Sequence, residues 1–350
     1  MIKIIPQPNE FQQLQFHNSK NLLIFSAGFE ERCIAFLKEY SKNLLVHCHV
    51  IIINYPNIKK EWQNEIADIL ELSKFSYEFI DDISTLANEI LSYKPETIFV
   101  DISSMDRLTI FRVLKIVDEI KITYNIIYTE AEKYYPLIDF YNDLIDFSNK
   151  NYELAFDKYL EKENSPLVYS YDCNLFEDEN FIGLPEPGYP VLLVSFFGFK
   201  RSRLQLLLQS LEVDKKIFIL SEPLREDLKW RKDLQKIINF DLYQKNKTFV
   251  KELKTFNILE SYQFLESHIC ENLTSLKYNV ILSPLGSKGQ TIACFYLWRN
   301  HKEIRIIFSL PKKFYPDKYS LGYRDTFIFT FEFLNKNLGK TWKPSIQVTH

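Results

Sequence analysis

The chain has 350 residues, a formal net charge of −3 and 46% hydrophobic residues. This apolar content is enough for two cores, because single domains commonly run to about 100–200 residues, and the 29 Phe and 21 Tyr exclude a disordered chain. The weakly negative charge argues against long nucleic acid as the primary ligand, since such binders normally carry a basic stripe.

Neither a membrane segment nor a metal site is expected. No run approaches the roughly 18 consecutive apolar residues of a membrane span, and the amino terminus lacks a basic region followed by a long apolar run. The five Cys and six His include no C-x-x-C or H-x-x-x-H spacing. We therefore expect a cytoplasmic protein without a metal or other cofactor.

The first half of the chain alternates apolar runs with amphipathic segments. Five predicted strands cover residues 21–26, 46–54, 75–80, 96–100 and 122–129. Predicted helices cover residues 29–40, 60–72, 84–91 and 107–118. Continuous apolar strands separated by helices are typical of a parallel sheet covered on both faces. Residues 1–136 are therefore predicted to form a Rossmann-like domain.

The alternation of strands and helices ends at a polar helix predicted over about residues 139–161, which is followed by an irregular segment. Pro185, Pro187 and Pro190 exclude a regular helix there. Residues 137–189 are therefore predicted to be a helical and irregular linker.

The second half repeats the same order, which predicts a second Rossmann-like domain over residues 190–350. A strand over 191–196 runs into Phe-Gly-Phe, as the strand over 21–26 leads to Ala-Gly-Phe, and residues 305–316 align with residues 125–136. With the loop over 283–290, which corresponds to the loop over 101–107, these make three matches in one order and indicate duplication. The predicted fold class is α/β, with two tandem Rossmann-like units forming an internal pseudo-dimer, each a mainly parallel sheet covered by helices.

The expected site lies in loops at the carboxyl ends of the strands, where helix amino termini present unpaired N–H groups to anions. Neither G-x-G-x-x-G nor a P-loop is present, which disfavours a dinucleotide dehydrogenase and a P-loop NTPase. Asp101, Ser103 and Arg107 instead fit the pattern D-x-[ST]-x-x-x-[RK] between a strand and a helix.

This pattern resembles that of CARF domains, the CRISPR-associated Rossmann-like sensors of cyclic oligonucleotides. Ser26, Ala27 and Gly28 match the small-residue turn after the first strand of that family, while Ser283 and Lys288 approximate the motif in the second half, with Pro284 and Gly286 as departures. The resemblance implies a ligand held between paired units, as in the fused CARF-like pairs of SAVED domains, and it also admits ring nucleases, which cleave their ligand.

The predicted partner is a cyclic oligonucleotide or another small anionic nucleotide, and the bound state would pass to a separate effector protein in antiphage defence. Short hydroxyl side chains and backbone N–H groups can hold phosphates, and Arg or Lys supplies the countercharge. The predicted ligand-binding residues are Ser26, Gly28, Arg32, Asp101, Ser103, Arg107, Gly198, Lys200, Arg201, Ser283, Gly286 and Lys288.

Two alternatives stay open on the sequence. Clustered carboxylates support hydrolysis, because like charges and burial push their pKa values apart, and Glu30, Asp101 and Glu130 form the candidate catalytic set. The first-half loops are mainly acidic and the second-half loops mainly basic. These opposite charges could therefore serve only to hold the two domains together. The protein would then be a non-enzymatic scaffold or a partner subunit of a defence complex.

Overall fold

The structure is a computed structural model that describes residues 2–5, 20–28, 30–44, 48–54, 60–163, 173–246, 249–274, 278–312 and 319–331. The chain divides into two compact units. Unit 1 takes its residues from 1–135 and 316–350, and unit 2 takes its residues from 136–315. Each unit is built on a mainly parallel sheet flanked by helices, which confirms the predicted α/β class.

Unit 1 contains a seven-stranded sheet; strands and helices are numbered along the whole chain. Its strands are β1 (Ile2–Ile5), β2 (Asn21–Ala27), β3 (Cys48–Asn54), β4 (Ser76–Ile80), β5 (Thr97–Asp101), β6 (Tyr124–Thr129) and β16 (Thr326–Phe331). They lie in the order β1-β16-β6-β5-β2-β3-β4. The five strands from β6 to β4 are parallel, whereas β16 is antiparallel to β6 and β1 is antiparallel to β16.

Four helices connect the parallel strands of unit 1. They are α1 (Ala35–Leu44), α2 (Lys60–Leu72), α3 (Leu86–Tyr93) and α4 (Arg107–Ile120). Every residue of β2 is buried, which explains why this strand shows no polar alternation. The Asp106 carboxylate accepts a hydrogen bond from the Thr109 N–H at 2.9 Å and so caps α4, and Lys121 ends the helix in the left-handed region at φ 62°.

Unit 2 contains a five-stranded parallel sheet. Its strands are β9 (Val191–Phe196), β10 (Lys215–Glu222), β11 (Val250–Lys254), β12 (Asn279–Ser283) and β13 (Arg305–Ile306). The order is β11-β10-β9-β12-β13. Counted along the chain, this is third, second, first, fourth and fifth, the same order that β4-β3-β2-β5-β6 follow in unit 1. In such sheets the ligand crevice lies where the order reverses, between the first and fourth strands.

The described residues of unit 2 form seven helices: α5 (Ile138–Ser148), α6 (Tyr152–Glu163), α7 (Arg201–Ser210), α8 (Trp230–Ile238), α9 (Phe240–Lys245), α10 (Ile258–Thr274) and α11 (Lys288–Asn300). Helix α7 follows β9 and α11 follows β12. Both helices therefore begin at the reversal point of the unit 2 sheet.

The structure corrects the predicted linker over residues 137–189. These residues supply α5, α6 and the strand β8 (Cys173–Phe176), which pairs antiparallel with β14 (Phe308–Pro311) inside unit 2. Leu144, Phe156 and Tyr159 pack with Leu234 and Ile238 of α8 in one apolar cluster. The segment therefore carries core residues of unit 2 and does not separate two domains.

The predicted second domain over 190–350 is corrected at its carboxyl end. Strand β16 pairs with β6 along its whole length and belongs to unit 1. Just before it, β15 (Ser320–Leu321) pairs with β7 (Lys133–Tyr134). Strand β16 satisfies the backbone edge of β6, which explains why it lies in the first unit.

Ile328→Ala tests this assignment. Ile328 is 2% exposed and lies in the same core cluster as Phe25 and Ile127, so its truncation is expected to lower the free energy of unfolding by about 2–5 kcal/mol. Leu321→Ala, at a side chain that is 43% exposed, is the control and should change it by less than about 0.5 kcal/mol. Urea unfolding followed by circular dichroism measures both, and equal effects would contradict the assignment.

Candidate functional site

The predicted site residues of unit 1 gather at the carboxyl edge of its sheet. Ser26 and Gly28 lie at the end of β2, Asp101 and Ser103 at the end of β5, and Glu130 follows β6. All five are buried. Parallel strands bring these segments together, as the sequence predicted.

Arg32 and Glu30 form a buried ion pair at this edge. They are 3% and 4% exposed. The Arg32 guanidinium donates from Nε to Glu30 Oε2 at 2.9 Å and from Nη2 to Oε1 at 3.1 Å. Burial lowers the pKa of Arg32, but the charge of Glu30 and the contacts with Tyr128 and Tyr134 together outweigh burial and leave the pKa above its ordinary value. The paired geometry makes this a strong, directional contact.

Two tyrosines complete the surroundings of Arg32. Its Nη1 donates to the Tyr128 hydroxyl at 2.9 Å, and the hydroxyls of Tyr128 and Tyr134 lie 2.8 Å apart. The guanidinium also lies 5.5 Å and 5.7 Å from the two ring centroids. Burial raises the pKa of both phenols, so they remain protonated. Tyr134 therefore helps to hold Arg32 in place.

The segment that leads into β16 crosses this cluster. Ser320 donates its hydroxyl proton to Glu30 Oε2. The Glu130 N–H donates to the Asp325 carbonyl at 3.0 Å, and the Arg324 N–H donates to the Glu130 carbonyl at 2.9 Å. Glu30 and Glu130, which the sequence analysis placed in the candidate catalytic set, are therefore hydrogen-bonded to other residues of the same chain.

Asp101 and Ser103 tie the ends of three strands together. Asp101 Oδ1 accepts hydrogen bonds from the N–H (2.8 Å) and the hydroxyl of Ser103, and Ser103 Oγ accepts from the Thr129 N–H at 2.8 Å. Ser104 donates to the Ser26 carbonyl. The motif that suggested ligand binding thus connects β2, β5 and β6. Arg107 is half-buried at the first position of α4.

The candidate catalytic set of Glu30, Asp101 and Glu130 shares the edge, but two of its carboxylates serve the fold. Glu30 is bonded to Arg32 and Ser320, and Asp101 to Ser103. Among the residues that the structure describes, no group of three His, Cys, Asp or Glu is placed to hold a metal ion. No helix among those residues is long and apolar enough to cross a bilayer.

The carboxyl edge of unit 2 carries the other predicted residues. Gly198 and Lys200 lie between β9 and α7, and Arg201 pairs with Asp241 through Nη2 and Oδ2 at 2.7 Å. Ser283 ends β12 and donates its hydroxyl proton to the Ile307 carbonyl at 2.8 Å, so it braces two strand ends.

The two helices at this edge begin differently. Ser287 caps α11 in a capping box with Gln290, and Lys288 is its first residue. Helix α7 has no side-chain hydrogen bond from its N-cap, Lys200. An added Cβ at Gly286 would lie 2.8 Å from Phe196 Cδ1, so Gly286 serves close packing.

The sequence reasoning missed two polar features of unit 2. Ser221 at the end of β10 donates to Gln290 Oε1 at 2.9 Å, and its N–H donates to Gln235 Oε1 at 3.1 Å. The other feature is Arg203, which the sequence analysis did not single out and which is 8% exposed. The only signal for Arg203 was its position on the apolar face of α7.

The comparisons with known proteins identify no family. No family model matches the chain, and no curated protein matches it. Among solved structures, it is similar to the cytoplasmic domain of a prokaryotic cation chloride cotransporter at 9% identity, covering 83% of this chain and 95% of that one, with a TM-score of 0.25. A putative universal stress protein from Pseudomonas aeruginosa gives 9% identity, 83% and 93% coverage and a TM-score of 0.25. UDP-GlcNAc 2-epimerase from Neisseria meningitidis is 15% identical, with 77% of this chain and 78% of that chain covered and a TM-score of 0.23.

Comparing Gly28→Ala with Gly198→Ala tests how closely each glycine is packed at the carboxyl edge of its sheet. A Cβ at Gly28 would lie 2.9 Å from Ser104 Cβ, whereas the nearest atom at Gly198 is the Lys200 nitrogen at 3.8 Å. We expect Gly28→Ala to destabilise the protein by about 1–3 kcal/mol through overpacking and Gly198→Ala to be nearly neutral. Denaturant titration measures both, and the reverse order would contradict the role given to Gly28.

Glu30→Gln tests the ion pair, because it leaves the Arg32 charge buried beside a neutral amide. The expected loss is about 3–5 kcal/mol. The control is Glu65→Gln, which removes the partner of Lys38 in a pair whose side chains are 40% and 32% exposed, and should cost at most about 1 kcal/mol. The double variant Glu30→Leu with Arg32→Met should lose less than Glu30→Gln in the same unfolding assay. A loss in the double variant as large as the sum of two single losses would argue against the pairing.

Proposed function

We propose that the protein binds a small phosphorylated nucleotide at the carboxyl edge of the unit 2 sheet. The carrying observation is the charge at the amino ends of α7 and α11. Lys200 and Arg201 begin α7, Lys288 begins α11, and neither helix has an acidic residue in its first turn. Both helices start at the reversal point of the sheet, where ligands of this fold bind.

A bound anion would stabilise this arrangement. A helix amino terminus carries a partial positive charge, and a cation placed there costs about 0.3–1 kcal/mol instead of stabilising the helix. Asp241 offsets Arg201 in part. A phosphate at the edge would be favoured by the helix ends and by the basic side chains together.

Within this class we propose a cyclic oligonucleotide messenger. The support is the resemblance of Asp101, Ser103 and Arg107 in unit 1 to the CARF pattern, which Ser283 and Lys288 approximate in unit 2, together with the strand order that the two units share. On this proposal the protein is a sensor in antiphage defence that passes the bound state to a separate effector protein. Binding without hydrolysis is favoured because the Glu30 and Asp101 carboxylates are bonded to their own chain.

The internal pseudo-dimer remains a prediction of the duplication. The proposed site lies at the carboxyl edge of the unit 2 sheet, so titration calorimetry should give one ligand per chain. Two ligands per chain would indicate independent sites.

Thermal unfolding tests the proposed function. The purified protein is heated with cyclic di-, tri-, tetra- and hexanucleotides, with ATP, NAD and ADP-ribose as controls, and each mixture is then analysed by chromatography. A ligand at 100 times its Kd stabilises the native state by about 2.7 kcal/mol, so one cyclic oligonucleotide should raise the Tm by several degrees and be recovered intact. Consumption of that ligand would indicate that the protein is an enzyme and not a sensor. The absence of a Tm shift with every cyclic oligonucleotide would refute the proposal.

A further inference from the structure

Arg203 is a buried cation near the start of α7. It is the third residue of the helix and is 8% exposed, and it shares the buried face of α7 with Leu204 and Leu207. Burying a charge is costly unless the charge is paired and hydrogen-bonded. A buried guanidinium therefore requires a partner.

Arg203 finds no such partner among the residues that the structure describes. Its Nε is buried without a hydrogen bond, and among the described residues no hydrogen bond, ion pair or ring contact involves its side chain. Other buried arginines are satisfied. Arg32 pairs with Glu30, and Arg231 donates from Nη1 to the Pro136 carbonyl at 3.0 Å and lies 4.0 Å from the Phe199 ring centroid.

The position of Arg203 directs it toward the carboxyl edge of the sheet. Cα–Cβ bonds in a helix tilt toward the amino terminus, and long side chains extend back over the preceding turn. From the third position of α7, that direction leads to the loop after β9, where the N-cap makes no side-chain hydrogen bond. The neighbouring Ser202 hydroxyl is also buried without a partner.

Unit 1 shows what satisfies an arginine in the corresponding loop. There Glu30 supplies both carboxylate oxygens to Arg32. Aligned on Gly28 and Gly198, the residue that corresponds to Glu30 in unit 2 is Lys200. By the same alignment Arg32 corresponds to Ser202, and Arg203 is the next residue, so unit 2 has an arginine beside that position and a cation where unit 1 has the anion.

We infer that Arg203 holds a phosphate group of a bound ligand, with the Ser202 hydroxyl and the amino end of α7 completing the anion site. The inference rests on the proposed function for the nucleotide and names the residue that neutralises its phosphate. The planar guanidinium can donate two parallel hydrogen bonds to a phosphate, as Arg32 does to Glu30.

The test uses the full chain and two probes, inorganic phosphate and pyrophosphate, titrated by calorimetry at constant ionic strength set with sodium chloride. Wild type should bind pyrophosphate, and Arg203→Met should weaken binding by about tenfold or more. The control Arg225→Met removes a guanidinium that is already paired with Asp227 at 3.0 Å through Nε, and it should bind as wild type does.

Stability separates a ligand-binding role from a structural one. Without an anion, Arg203→Met should be as stable as wild type or more stable, because it removes an unpaired buried charge. Phosphate should then raise the Tm of wild type and of Arg225→Met, but not that of Arg203→Met. A large loss of stability or a failure to fold in Arg203→Met would indicate a structural partner and overturn the inference, as would unchanged pyrophosphate affinity.

Arg203→Lys gives a second criterion, because an ammonium group cannot donate the parallel pair. Its pyrophosphate affinity should fall several-fold, and affinity equal to that of wild type would contradict the inference. Binding of pyrophosphate through Arg203 with no nucleotide bound by wild type would refute only the proposed function. A cyclic oligonucleotide that binds Arg203→Met as tightly as wild type would refute only the role of Arg203.

Discussion

Parallel strands that are buried on both faces must all end at one edge of their sheet, and this constraint organises both units. Each sheet follows the order third, second, first, fourth, fifth, so the first and fourth strands run side by side and the chain leaves them in opposite directions. The loops after these strands cannot be covered by the connections between them. Polar groups in those loops must therefore be satisfied by a neighbouring segment, by a helix end or by a ligand.

The two units satisfy this requirement in different ways. In unit 1 the arginine, its carboxylate, two phenols and a returning segment of the chain form a closed set of hydrogen bonds. In unit 2 the Gln290 side chain accepts from Ser221 and from the Ser287 N–H, but its own Nε2 is buried without a partner, as is Arg203 Nε. After a duplication, one copy can become structural while the other keeps the exposed chemistry of its loops.

The sequence predicted the elements whose partners are close in the chain. Periodicity located α2 over residues 60–72 as the structure has it, and the burial of β2 follows from its apolar composition. It did not predict that β16 joins the first sheet, because no local pattern records a partner about 200 residues away. It also interpreted residues 137–189 as a linker, because the helix predicted over about 139–161 is polar in composition and the prolines at 185, 187 and 190 indicated a boundary, so the core residues of α5 and α6 were not recognised.

The sequence predicted where the candidate site residues lie but not which groups they contact. Strand ends located Asp101 and Ser103 correctly, yet the same hydroxyl and carboxylate groups that could bind a phosphate instead bind the backbone of Thr129 and each other. Sequence alone cannot separate these uses, since both need short polar side chains at a strand end. The paired Arg32 and the unpaired Arg203 differ in one nearby residue, since Glu30 lies two residues before Arg32, but the sequence does not show that these two side chains turn toward each other.

The return of the chain to the first sheet also has a consequence for synthesis. Unit 2 is inserted between β7 and β15, which pair with each other, and β16 follows as the last described strand. During translation the whole of unit 2 leaves the ribosome before β16 does, whereas the edge of β6 stays without its antiparallel neighbour until then. Because domains tend to fold as soon as their chain is complete, the second unit can finish folding first, and an open strand edge that favours wrong pairing persists in the nascent first unit until β16 emerges.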